Sequence, residues 1–217
     1  LDAEAVLLIE VDGPKDEVEA LVNPIVDLCR ENHVREVRVA KDDEERALLW
    51  KGRKSAFAAM GHLSPEYYIQ DAVIPRTKLP PMMKFIGELS QKHYLRVANV
   101  FHAGDGNLHP LVLYDSRNEG ELRKAEEMGE EIIKACIEMG GTLTGEHGIG
   151  VEKRDYMPMM YTDDDLEAMR KVKRAFNADG LLNPGKIFPT KEKTTTTGPP
   201  SQQEILDRVF SKKVEES

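Results

Sequence analysis

The 217-residue sequence holds only two cysteines, Cys29 and Cys136, too few for a thiolate metal cluster. Each falls on the apolar face of a predicted helix. That favours two buried thiols over a disulfide, and with it a reducing compartment. No apolar run is long enough to cross a bilayer, and the N-terminus lacks the charged-then-apolar layout of a signal peptide. Leu1 rather than a methionine opens the chain, which reads as a piece cut from a longer protein. Neither G-x-G-x-x-G nor G-x-x-x-x-G-K-[ST] occurs, so the chain carries no nucleotide fingerprint of its own. No internal repeat is visible. The net charge of −9 gives no general attraction to nucleic acid or to an anionic membrane. These absences describe a cytoplasmic protein without a transmembrane segment.

What is present alternates between strand-like and helix-like patterns. AVLLIEV (5–11) reads as a buried strand ended by Asp12-Gly13-Pro14. A helical face of Val18, Leu21, Val22, Ile25, Val26 and Cys29 follows, and Pro24 inside it predicts a kink or two shorter helices. REVRVA (35–40) alternates as a second strand. Residues 42–60 place acidic residues before basic ones, as a helix dipole favours. YYIQDAVIP (67–75) is a strand ended by Pro75, and Pro80-Pro81 lead into a helix reaching about His93. Two strands flank the tip GDGN within 95–114, and a long helix spans 119–139 until Gly140-Gly141 stop it. The glycine-rich TLTGEHGIGVEKR is irregular. Thr162 and three aspartates open a last helix closed by Gly180. Residues 190–203 have the composition of a flexible tail, and 204–214 that of a loose terminal helix. The pattern predicts an α+β fold, ferredoxin-like, with an antiparallel or mixed sheet and helices packed mainly on one face.

The hairpin NVFHAGDGNLHPLVLYD (99–115) carries one histidine on each strand at equal distance from its tip. With GDGN as the turn, His102 pairs directly with His109, and opposed residues share a face with Cβ atoms about 4.5–5.5 Å apart. Two imidazoles at that spacing suit one metal ion; two half-buried histidines satisfied by backbone carbonyls are the structural alternative. GEHG (145–148) offers a third ligand, Glu146, on a backbone that its glycines free for close approach. Two imidazoles and a carboxylate leave a coordination position open, as in catalytic sites, and suit Zn, Mn, Fe or Co about equally. His147 beside them is either a general base or a structural histidine.

Taken together, WKGRKSAF (50–57), YYIQDAVIP (67–75), FHAGDGNLHP (101–110), GEHGIGVEKR (145–154) and LLNPGKIFP (181–189) resemble the C-terminal domain of FAD-linked oxidases of the vanillyl-alcohol-oxidase superfamily, nearest its glycolate- and D-lactate-oxidising branch. The resemblance implies that residues 1–189 form a substrate or cap domain, that 190–217 are a tail, and that the N-terminal FAD-binding domain is absent from this chain, leaving it inactive alone. It implies a flavin-dependent oxidation of glycolate or D-lactate to the 2-oxo acid. It assigns His102, His109 and Glu146 to a divalent metal, usually zinc, His147 to the base, Arg53 to the substrate carboxylate, and Asn183 with Lys186 to the flavin. A glycolate-oxidase-type assembly further implies iron–sulfur and second flavin-type subunits, through which the protein would meet the inner face of the membrane. Relatives that use a dicarboxylate tend to carry lysine where Ile69 stands and asparagine where Leu111 stands, so this chain is expected to prefer a small or apolar 2-hydroxy acid. Residue chemistry alone leaves two other readings open: a flavin-independent metal hydrolase built on the same three ligands, and a non-catalytic interaction domain.

Overall fold

The computed structural model describes residues 3–190. The tail and terminal helix expected beyond Thr190 lie outside the described residues. The chain divides into two compact units, with the boundary between Ala59 and Met60.

The first unit is helical. Helix α1 (Lys15–Glu31) runs unbroken through Pro24, so the expected division into two helices does not occur. Helix α2 (Asp43–Lys54) starts on the Asp42 side chain, which accepts the Glu45 amide at 2.8 Å, while Glu45 accepts the Lys41 amide in return. Ser55 ends it, and the short α3 (Ala56–Ala59) follows, so the single helix expected over 42–60 is interrupted. Neither expected strand forms: 5–11 and 35–40 have no ladder partner among the described residues. Val6, Leu7, Val37 and Val39 are exposed. Alternation marks a segment as extended and two-faced, but a strand exists only where a second backbone completes its hydrogen bonds. Arg46 of α2 instead pairs with Glu10.

The second unit holds the sheet. β1 (Glu66–Ile69), β3 (Val97–Asn99) and β5 (Pro110–Tyr114) form an antiparallel sheet in the order β1-β5-β3; β2 (Ala72–Val73) and β4 (Asn107–Leu108) form a second antiparallel pair. The run expected as one strand over 67–75 therefore breaks at Gln70-Asp71 and changes sheet. Helices α4 (Leu79–His93) and α5 (Glu121–Glu138) cover one face, meeting Val112 with Met82, Ile86, Leu89, Ala125, Met128, Ile132 and Cys136. Helix α6 (Asp163–Phe176) opens on a capping box between Thr162 and Asp165 and packs Leu166 against Ile133, Leu143 and Met157. It ends at Asn177, three residues before Gly180. An antiparallel sheet with helices on one face is the α+β arrangement that the patterns predicted. Both cysteines are free thiols; Cys136 is buried, whereas Cys29 is only half-buried.

Gly106 is required by the hairpin. Its φ is +71°, and a Cβ there would stand 2.1 Å from the Ile74 carbonyl oxygen, the residue whose amide donates to Gly106 at 3.0 Å. We expect Gly106→Ala to destabilise the protein by about 1–3 kcal/mol, as overpacking does, read as a lower urea midpoint. Burial pushes the Cys136 thiol up to about 12. It should resist iodoacetamide at pH 8 in the folded protein and react once the protein is unfolded.

Candidate metal centre

Three pieces of chain meet at β2. Val73 pairs with Asn107 on one side and with Thr142 on the other, where Thr142 donates to the Val73 carbonyl at 2.8 Å. This short strand thereby joins the histidine hairpin to the GEHG loop.

The hairpin register differs from the expected one by two residues. His102 pairs with Asn107, and the ladder continues through Asn99↔Pro110, Ala98↔Leu111 and Val97↔Val112. The tip is Ala103-Gly104-Asp105-Gly106 rather than GDGN, because Asn107 is taken into β4 opposite Val73. The Val100 amide donates to the His109 carbonyl, so the two histidines are diagonal rather than direct neighbours. A shift of two keeps every side chain on its face, so the imidazoles still converge. Their ring centroids lie 5.7 Å apart, with planes at 85°.

Glu146 reaches this pair. Its Oε1 lies 3.0 Å from Nε2 of His109 and 3.9 Å from Nε2 of His102. A tetrahedral ion with bonds of about 2.0–2.1 Å requires neighbouring donors about 3.4 Å apart. The two measured separations bracket that value, and the donor atoms of all three residues fall within 4.8 Å of one another. Two imidazoles and one carboxylate thus stand where they could share one cation. His109 is buried, whereas His102 and Glu146 are about half exposed, which leaves one side of the cluster open to an incoming molecule. Burial, and then the nearby His147, push the His109 imidazole below its ordinary pKa. That favours the neutral form, the one that binds metals.

His147 stacks on His109, with centroids 4.9 Å apart and planes 4° from parallel. With Asp71 these two form a second set of donors within 4.8 Å. Asp71 is already engaged. Its carboxylate accepts the Thr144 hydroxyl and the amides of Gly145 at 3.0 Å, Glu146 at 3.2 Å and His147 at 3.0 Å. Burial raises its pKa, but these donors, together with Lys153, outweigh it and hold the carboxyl down to about 2. An oxygen pair already satisfied by four donors is a poor ligand. The set of His102, His109 and Glu146 is therefore the better cation site.

The two glycines around Glu146 serve different needs. A Cβ on Gly145 would stand 2.6 Å from the Asn107 side chain, whereas Gly148 has open space around it but a φ of +82°. The sequence marks Asp71 only as the residue sharing a strand face with Ile69, and does not mark Lys153 at all. The usable signal was a polar pair, Gln70-Asp71, inside an apolar strand pattern, and a lysine following a glycine loop. Both Asp71 and Lys153 are buried. Lys153 donates to the Asp71 carbonyl and lies 3.5 Å from its carboxylate.

The other candidate residues lie apart in the chain. Asn183 and Lys186 are exposed; Lys186 donates to the Asn183 side chain at 3.3 Å, and Lys173 to the Asn183 carbonyl at 3.1 Å. Their segment is tied to the end of the GEHG loop, since the Ile187 amide donates to the Gly150 carbonyl at 2.8 Å. Arg53 belongs to the first unit, on α2, with its guanidinium 6.0 Å from the Phe57 ring centroid.

Residues 1–187 match the family described as FAD linked oxidases, C-terminal domain. The chain is 47% identical over 198 residues to glycolate oxidase subunit GlcD of Escherichia coli strain K12, covering 91% of this chain and 40% of that protein. It is 40% identical over 186 residues to glycolate oxidase subunit GlcD of Bacillus subtilis, covering 86% of this chain and 40% of that one. It is 31% identical over 179 residues to D-lactate dehydrogenase [cytochrome] 1, mitochondrial, of Saccharomyces cerevisiae, covering 80% of this chain and 30% of that one. The chain thus spans about two-fifths of the length of the two glycolate oxidase subunits. Among solved structures, 4-ethylphenol oxidase from Gulosibacter chungangensis superposes with a TM-score of 0.56 at 18% identity, covering 82% of this chain and 38% of that one. At that identity the likeness is one of fold.

Lys153 offers a check on the site's electrostatics. Replacing it by methionine preserves the apolar stem and strands a buried carboxylate without its counter-charge. Breaking a buried pair from one side costs about 3–5 kcal/mol. The remaining amide donors place Lys153→Met near the lower end, read as the loss in urea-unfolding free energy.

Proposed function

The chain belongs to the family of FAD-linked oxidase C-terminal domains, and on that premise we propose that it is the substrate- and metal-binding part of a flavin-dependent 2-hydroxy-acid oxidoreductase that converts glycolate or D-lactate to the 2-oxo acid. The observation that carries this reading is the convergence of His102, His109 and Glu146, with His147 stacked beside them. Residues 1–189 are the substrate domain, and a flavin-binding domain precedes them in the full-length enzyme. Similarity to glycolate oxidase subunits supports assembly with iron–sulfur and second flavin-type subunits. Among the described residues no helix is long and apolar enough to cross a membrane. A cytoplasmic enzyme that meets the membrane through its partners is part of the same proposal.

Each role follows from side-chain chemistry. The planar guanidinium of Arg53 suits a bidentate pair with the substrate carboxylate. His102, His109 and Glu146 hold the divalent ion, zinc by preference, which when bound supplies positive charge that favours ionisation of a neighbouring hydroxyl. His147 takes the hydroxyl proton. Its backbone is held through its amide while its imidazole remains 45% exposed. Bound FAD supplies the hydride acceptor. Asn183 and Lys186, both exposed, are assigned to contact with the flavin. Ile69 and Leu111 are direct cross-strand partners. The positions where dicarboxylate-using relatives tend to carry lysine and asparagine are thus one apolar pair, which supports a small or apolar substrate.

The test is anaerobic reduction of the flavin in the full-length enzyme. Glycolate or D-lactate should bleach it, and D-2-hydroxyglutarate should do so more slowly. His147→Asn should lower kcat by about 10²–10⁴-fold, Arg53→Ala should mainly raise KM, and His102→Ala should remove the metal. Faster turnover of D-2-hydroxyglutarate would overturn the substrate assignment; bleaching that is untouched by His147→Asn would overturn the base.

A further inference from the structure

Glu146 and His147 stand on a loop that is neither helix nor strand, and their side chains are about half exposed. On such a segment a side chain is aimed only as well as its backbone is held. The geometry points to Asp71 as the positioning residue that holds it, a role that rests on the site reading above.

Three consecutive amides, those of Gly145, Glu146 and His147, converge on the one buried carboxylate of Asp71. The Thr144 hydroxyl donates to the same group and in turn accepts the Gly148 amide at 2.9 Å. Five successive residues thus hang on Asp71, directly or through one hydroxyl. The Asp71 side chain is fully buried and comes from the link between β1 and β2, with the Ala72↔Leu108 pair beside it. Its Oδ1 lies 3.6 Å from Nε2 of His109. One rigid group therefore touches the hairpin ligand and fixes the backbone of the loop ligand. Lys153 supplies the counter-charge from within the core. An ionised acceptor suits this role better than an amide, because the hydroxyl, the three amides and the Lys153 ammonium around it are all donors and a carboxylate only accepts.

Asp71→Asn retains size and places an NH2 among donors. In the 217-residue chain without metal, amide exchange at Gly145, Glu146 and His147 should quicken by about tenfold or more, the consequence of losing bonds to a charged acceptor. Zinc affinity, measured against a competing chelator dye, should fall by about 10–100-fold, as it does when groups that orient ligands are removed. In the full-length enzyme kcat should fall with KM for glycolate nearly unchanged, because Arg53 still binds the carboxylate. Thr144→Val removes one strut without introducing a donor; it covers the case in which Asp71→Asn does not fold, and should quicken exchange at Gly148 and weaken zinc binding several-fold at an unchanged melting temperature. Exchange rates at 145–148 equal to the parent's in whichever variant folds would overturn the proposal. A parent chain that binds no zinc would sink the metal reading alone, since the exchange measurement needs no metal and still decides the role of Asp71.

Discussion

One buried carboxylate organises the second unit. Asp71 lies where the chain leaves the three-stranded sheet and enters the β2–β4 pair. There it faces the amides of a loop more than seventy residues later in sequence. A charge without water is costly unless hydrogen bonds replace the solvent. Here Thr144, three amides and Lys153 replace it. The requirement runs in both directions: the carboxylate needs those donors, and the loop amides, which have no ladder of their own, need an acceptor. The same donors occupy the Asp71 oxygens, whereas the Glu146 carboxylate stays about half exposed beside the histidines.

The legible part of the fold is the part whose signals are local. The starts of α4 and α6 follow from Pro80-Pro81 and from Thr162 with its aspartates, and the end of α5 follows from Gly140-Gly141. What was misread depends on partners. Segments 5–11 and 35–40 have strand composition and no ladder among the described residues. Of the two outcomes expected at Pro24, a kink or two shorter helices, the second does not occur. The break at Gln70-Asp71 falls where Asp71 meets a loop distant in sequence, and no local rule contains that contact.

The hairpin shows how a wrong register can preserve a right face. The glycines and Asn107 are turn residues, which alone points to GDGN as the tip. Asn107 has a second use, as the strand residue opposite Val73, and that tertiary pairing prevails. The tip moves back by one residue and the pairing shifts by two. Period-two alternation hides a shift of two, so the facing of His102 and His109 survives an error in which residues oppose each other. Their third partner, Glu146, was nameable from its glycine flanks and from family resemblance. The support beneath it was not, because a buried Asp–amide cluster leaves only a charged letter in an apolar run.

The diagonal arrangement also separates the two rings in depth. The diagonal pair sets one imidazole deep and one shallow, and their burial differs accordingly: 3% for His109 and 50% for His102. Glu146 enters from the loop side and is about as exposed as His102. The set thus has one buried donor and two near solvent. His147 is stacked flat on the buried ring. The Asp71 carboxylate, 3.6 Å from the His109 ring and accepting the His147 amide, bears on both residues at once.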